Sequence, residues 1–277
     1  MIDITHLAKN LVFLEEGIWV SKDTRDVSYP EEGYDNNFEL EERSFWFMHR
    51  NDCIIETLRR FPPSGIVYDV GGGNGYVTKA LMDNGYGAIL VEPGIEGARN
   101  AKSRGLRPII CSTLQGAGFN KKSMPSIGLF DVLEHINDDV EFLKELNSFM
   151  VPSGRLYVTV PAYHALWSAE DDFAGHYRRY TLKELRNKLR SAGFEIEYST
   201  YFFTLLTLPI FLFRVIPSRI GLRKRSEFSR YDKEHIVKTK FITIPFQKYL
   251  TMELGIIKHG RIRFGASCLI VARVKNE

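Results

Sequence analysis

The chain has 277 residues, 44% of them hydrophobic and 26% charged, enough for one large α/β domain with an insertion or for two small domains. Its three cysteines, Cys53, Cys111 and Cys268, are scattered without a C-x-x-C pair, which excludes a disulfide framework and a thiolate zinc site; residues 1–10 contain Asp3 and no apolar run, so no secretory leader is expected and a cytoplasmic location fits. The net charge of +3 is local: residues 217–240 carry eight basic and three acidic side chains, so that stretch is +5 and the remainder sums to −2.

In chain order, residues 1–37 are irregular, apart from a short hairpin expected around Glu15-Glu16-Gly17. Over 40–61 the residues Phe47, Ile54, Ile55, Leu58 and Phe61 recur at helical spacing, and Pro62-Pro63 stops the helix. A regular alternation follows: strand 66–70, helix 75–84 closed by Gly85, strand 88–92, helix 95–103, strand 108–111 and strand 127–132. Helix 138–149 opens on Asn137-Asp138-Asp139, strand 156–160 comes next, and Thr181 with Glu184 forms a capping box for a helix that ends near Ala192-Gly193. Strands at 194–203 and 266–274 complete the pattern. Strands and helices alternating at this spacing predict a parallel sheet with helices on both faces. Residues 204–260 interrupt it. Within them and just before, 201–213 carries no charge and Pro209 is expected to break it. Thirteen uncharged residues are too few to span a bilayer, which leaves a buried packing helix or one lying in a membrane interface beside the basic stretch.

The chemistry concentrates after the strand at 66–70. Gly71, Gly73 and Gly75 let the backbone turn tightly and approach a ligand with no Cβ in the way. A dinucleotide fingerprint needs its third glycine one position later, where Tyr76 stands. Glu92, at the end of the next strand, can accept both hydroxyls of a ribose.

Residues 67–75, Val-Tyr-Asp-Val-Gly-Gly-Gly-Asn-Gly, resemble the first motif of class I S-adenosylmethionine-dependent methyltransferases, D-x-G-x-G-x-G; Glu92 matches the second motif, and Phe130-Asp131-Val132-Leu133-Glu134-His135 the fourth-strand motif. The resemblance implies a Rossmann-like seven-stranded methyltransferase sheet with an N-terminal helical extension (1–61), a core (62–203), an insertion (204–260) and a last strand (261–277) lying antiparallel between its neighbours. It implies S-adenosyl-L-methionine as cofactor, with Asp69 and the glycines at the methionine end, Glu92 on the ribose, Ser112 and Thr113 beside the adenine, and Phe130 and Asp131 near the sulfur. Within the class the likeness is to polyprenyl-quinol O-methyltransferases: Phe45-Trp46-Phe47-Met48-His49-Arg50 stands where those enzymes carry a cofactor-binding arginine, so Arg50 is expected to pair with the methionine carboxylate.

Transfer to a hydroxyl needs a general base, and His135 and His176 are the candidates. His176 sits among Trp167, Asp171, Asp172, Tyr177, Arg178 and Arg179; Trp167, Tyr177, Arg178 and Arg179 are candidate substrate contacts, the arginines suited to a phosphate or carboxylate. Asp131, Glu134, His135 and His176 also resemble the carboxylate–histidine set of small-RNA 2′-O-methyltransferases and could hold a divalent metal. No basic stripe marks a nucleic-acid track. The expected acceptor is a small or lipid-linked molecule of a polyprenyl or glycan pathway, with an anionic membrane surface as partner; the alternatives are a metal-dependent RNA 2′-O-methyltransferase-like enzyme and a non-catalytic cofactor-binding protein of the same fold.

Overall fold

The computed structural model describes residues 4, 7–14, 17–22, 32–222 and 240–275. Leu11–Phe13 (β1) and Ile18–Ser21 (β2) pair antiparallel, the hairpin expected there, with Glu15 and Glu16 outside the described residues. The helix expected over 40–61 is two, Glu32–Arg43 (α1) and Phe45–Arg60 (α2). Ser44 separates them: its backbone is extended and its hydroxyl accepts from the Trp46 amide at 3.2 Å, so the second helix is capped afresh.

The α/β alternation then runs as the pattern predicts, through Val67–Val70 (β3), Tyr76–Asp83 (α3), Ala88–Val91 (β4), Ile95–Ser103 (α4), Ile109–Cys111 (β5), Met124–Phe130 (β6), Asp139–Phe149 (α6) and Met150–Pro161 (β7), with one helical turn that the pattern lacks, Leu114–Ala117 (α5), between β5 and β6. A short helix absent from the pattern, Ala169–Ala174 (α7), precedes Leu182–Ser191 (α8) and Phe194–Phe202 (β8). β3 and β4 are buried at every position, as strands covered on both faces require. Thr181 and Glu184 form the expected capping box of α8.

The sheet has nine strands in the order β1-β2-β5-β4-β3-β6-β7-β9-β8, where β9 is Ser267–Val274. Seven of these make the expected methyltransferase sheet, and β9 lies antiparallel between β7 and β8 as the resemblance implied. The other two are the N-terminal hairpin, whose β2 extends the sheet parallel to β5. From β3 the order runs to β4 on one side and β6 on the other. That reversal leaves a crevice at the carboxyl ends of β3 and β6.

Residues 204–260 attach between β8 and β9. Tyr201 and Phe202 end β8, and Pro209 does not break the following helix. It falls in the first turn of Thr207–Ile210 (α9), where an amide has no helical partner to lose. A π-helical turn, Phe211–Val215, leads into Ile216–Arg219 (α10), and Lys240–His259 (α11) follows. Thr207, Ile210 and Val215 are buried; the wider π turn keeps Val215 facing inward five residues after Ile210. Glu253 of α11 fixes the insertion to the core, accepting from the amides of Phe203 and Thr204 at 2.9 Å each and meeting His49 Nε2 at 2.7 Å. Among the described residues no helix is long and apolar enough to cross a membrane.

Candidate active site

A cavity of about 370 Å³ opens at the β3/β6 crevice. One end is the glycine loop. Gly71, Gly73 and Gly75 all have positive φ, at 71°, 54° and 73°, a region that costs any side-chain-bearing residue. Their surroundings differ. A Cβ on Gly75 would strike Leu106 and Ala101, and one on Gly72 would lie 2.6 Å from Asp69 Oδ2, whereas one on Gly73 would meet nothing within 4 Å and would project into open space. Gly71 and Gly73 line the cavity; Gly75 stands behind it, as the residue from which α3 starts.

Three side chains aim polar atoms into this end. Glu92 is buried and accepts from the amides of Gly73 at 2.8 Å and Gly94 at 2.7 Å, so its carboxylate also shapes the loop. Asp69 is fully buried; Thr78 donates to its Oδ2 at 2.6 Å, while Oδ1 has no partner among the described residues. Burial raises this carboxyl to about 6, against the lowering effects of Thr78 and Arg50. Arg50, on α2, donates to Asp131 at 2.6 Å and leaves a buried Nε without a partner among the described residues. Asp131 is held with φ at 56° and also accepts from Thr159 at 2.9 Å. Asp69 and Arg50 both line the cavity, and a carboxylate and a guanidinium at one end suit a ligand carrying both an ammonium and a carboxylate. Phe130 forms part of the wall; Ser112 and Thr113 lie outside the lining, with Thr113 capping α5.

The other end gathers Glu134, His135, Asp171, His176 and Arg179. The rings of His135 and His176 meet edge to face at 4.7 Å. His135 is lowered to about 4, first by burial and then by His176, so it is neutral at physiological pH. His176 Nδ1 lies 2.9 Å from Asp171 Oδ1. Asp171 also accepts from Arg179 Nε at 2.7 Å and from the Ser168 amide at 2.9 Å. It is buried, which alone would raise it, but these donors hold it at about 2. Glu134 is buried with Oε2 unpartnered among the described residues, and burial, then Asp131, push its carboxyl well above the usual range. One ligand atom each from Glu134, His135 and His176 fall within 4.8 Å of one another; Asp131, expected with them, is turned to Arg50 and Thr159.

Of the four residues read as substrate contacts, Arg179 alone is in the lining. Arg178 bonds Asp139 at 2.8 Å and the Asn137 carbonyl, Trp167 donates to Asp172 at 3.1 Å, and Tyr177 is exposed, its amide bonded to the Glu134 carbonyl. Sequence reasoning missed several lining residues: Glu41 from α1, Trp46 and Phe47 from α2, Asn74 beside the glycines, and Ile210 and Arg214 from the insertion. Glu41, salt-bridged to Arg104 at 2.8 Å, is nevertheless raised to about 7 by its burial.

The profile of the methyltransferase-domain family matches residues 45–199, from the start of α2 into β8. The chain belongs to this family. Its fold is that of class I S-adenosylmethionine-dependent methyltransferases. A Mycolicibacterium smegmatis protein named as a probable S-adenosylmethionine-dependent methyltransferase is 25% identical over 161 residues, 57% of this chain. The chain spans 62% of the length of that curated relative. The methyltransferase fold is shared with a Haloferax volcanii protein in complex with the Trm112 methyltransferase activator (TM-score 0.56, 16% identity, 89% of this chain and 96% of that one). It is shared equally with a Thermotoga maritima protein described as a possible histamine N-methyltransferase (TM-score 0.56, 18% identity, 88% and 96%).

Proposed function

We propose that this methyltransferase carries the methyl group of S-adenosylmethionine to a hydroxyl oxygen of a small or lipid-linked acceptor, with His176 as general base. The observation that carries the reading is the Asp171–His176 contact at 2.9 Å on the wall of the cavity that also holds the glycine loop. The cofactor supplies an electrophilic methyl on a sulfonium. Asp69 Oδ1 and Arg50 suit its ammonium and carboxylate, and Glu92 its ribose. Held there, the cofactor would give its methyl to the acceptor oxygen with loss of its own carbon–sulfur bond, and His176 would take the proton that the oxygen gives up. Asp171, bonded at Nδ1, fixes the tautomer that leaves Nε2 free to take it. The neutral His135 lies against the base and adds no charge to oppose its protonation. A polyprenyl- or glycan-pathway acceptor agrees with the resemblance of the segment 45–50, and the −2 charge outside 217–240 speaks against RNA.

A second reading adds a divalent cation on Glu134, His135 and His176. The unpartnered Glu134 oxygen and a neutral His135 suit it; such an ion would make the acceptor hydroxyl more acidic. The test is transfer of labelled methyl into a cell extract, with and without excess EDTA, beside calorimetric binding of S-adenosylhomocysteine. His176→Ala should reduce turnover about 10²-fold with cofactor affinity unchanged. Full activity in EDTA removes the metal; full activity in His176→Ala removes the base. Cofactor binding without transfer to any acceptor would indicate a non-catalytic member of the family.

A further inference from the structure

The helical turns of the insertion carry two faces. Ile210 and Arg214 line the cavity, and Thr207 and Val215 are buried. The outer face is apolar and open to solvent: Leu208 is 63% exposed and Phe213 68%. Of the seventeen large hydrophobic residues that are exposed among those described, eight fall between Leu205 and Leu222. Apolar residues scattered singly need no explanation, but such a concentration on one short element marks a contact surface.

The surface continues beyond the helix. Thr204 Oγ1 donates to the Phe264 carbonyl at 2.7 Å, which sets the exposed Phe264 beside Leu205, and the Thr204 amide bonds Glu253 of α11, whose neighbours Met252 and Ile256 are exposed. At its far end Arg219 reaches the Ala165 carbonyl at 3.2 Å, close to Tyr163, whose ring lies 5.4 Å from that of Phe264. Cations follow directly. Lys258, Arg261 and Arg263 are exposed between Ile256 and Phe264, and no acidic residue occurs from Leu254 to Lys275. In sequence, residues 217–240, from within α10 to the first residue of α11, add a net +5.

We infer that this face docks on an anionic lipid bilayer, with the side chains of α9 through α10 and Phe264 entering the headgroup region and the cations of 258–263 meeting phosphate. The charge decides for lipid over a second copy of the chain: a self-association would set these like-charged residues near each other, whereas anionic headgroups are complementary. The inference deepens the proposed methyl transfer and rests on it for the acceptor, which is then a membrane-borne amphiphile. Its hydroxyl headgroup reaches the cavity past Ile210 and Arg214 and past Ala266 and Ser267, two and three residues after Phe264.

The experiment is co-sedimentation of the full chain with vesicles of phosphatidylcholine alone or mixed with phosphatidylglycerol, at low and high salt, with S-adenosylhomocysteine binding measured on every preparation. The expected result is pelleting with the anionic vesicles at low salt and release at high salt. Leu208→Glu with Phe213→Glu should reduce partitioning about tenfold or more, and Lys258→Gln with Arg263→Gln about tenfold, both with cofactor binding unchanged. A wild type that binds cofactor yet stays in the supernatant with anionic vesicles overturns the docking surface and leaves the methyltransferase reading standing. Pelleting without cofactor binding does the reverse. Variants that pellet like the wild type, or a Phe213-dependent dimer in sedimentation velocity without vesicle binding, also overturn it.

Discussion

The buried carboxylate of Asp171 meets the partly exposed ring of His176 at 2.9 Å and is shared with Arg179, at 2.7 Å through Nε and 2.9 Å through a terminal nitrogen. The carboxylate is thus fixed from two sides before any acceptor arrives, and the imidazole orientation is set by the fold. Asp171→Asn keeps the shape and removes the charge. It should lower turnover about 10–100-fold while the dissociation constant for S-adenosylhomocysteine stays within about twofold. It should also lower stability by roughly 3 kcal/mol, because Arg179 keeps its buried charge without a counter-ion. Denaturant melts and steady-state rates on the same preparation check both parts. A rate loss that merely tracks the unfolded fraction would remove Asp171 from the chemistry.

The glycines separate folding from binding. Gly75→Ala drives a Cβ into Leu106 and Ala101 at a positive φ and should cost about 1–3 kcal/mol of stability beyond the backbone strain. Gly73→Ala carries similar strain, about 1–2 kcal/mol, but points its methyl into the cavity. Its larger effect should be on S-adenosylhomocysteine affinity, read by calorimetry against thermal melts of both variants.

Glu92→Ala removes a carboxylate that two loop amides share. Cofactor affinity should fall by about 1.5–3 kcal/mol, the range for hydrogen bonds to charged groups. Glu92→Gln keeps one acceptor and should fall between the two. Equal affinities for Glu92→Ala and wild type would dissociate this residue from the cofactor.

Asp69 gives a pH dependence of opposite sign to the usual paired carboxylate. Its folded value of about 6 lies above the ordinary 3.8, so the folded state holds the proton more tightly. Its contribution to stability is present below the ordinary value, is lost as pH rises toward 6 and is constant above that. Asp69→Asn should therefore flatten the stability–pH curve of the ligand-free protein between 4 and 6 and raise stability at neutral pH by up to roughly 3 kcal/mol, while weakening cofactor binding. Chemical denaturation across that pH range would show it, and an unchanged slope would refute it.

Much of the fold was readable because one signal repeats: short apolar strands alternate with amphipathic helices, and the turn residues stand where each ends. The glycine loop and Glu92 were readable because backbone conformation and a strand end dictate those residue types locally. Asp171 was hidden in its role, since its three donors, Ser168, His176 and Arg179, converge only once the six residues of α7 fold into a helix, too few to leave a periodicity. The same stretch leaves Tyr177 exposed and turns Arg178 to Asp139, although both stand within two residues of Arg179, and Trp167 pairs with Asp172 outside the lining. Ile210 and Arg214 were illegible for another reason. A π turn shifts the inward face by one residue, so α-helical spacing does not identify it. The break at Ser44 was written as a capping residue, but the apolar spacing across it masked the signal.

The position of β9 has a bearing on how the molecule assembles. β8 touches the rest of the sheet only through β9, and the two strands are separated in sequence by the whole insertion. Phe194–Phe202 and the helices that follow cannot be secured until Ser267–Val274 slots in between β7 and β8. During synthesis, therefore, the glycine loop and β3 to β7 can settle while the apolar turns of 205–222 are still waiting for their inner wall. In the finished protein β8, the insertion and β9 should open as one cooperative unit, exchanging their amide hydrogens together and earlier than β3, β4 and β6.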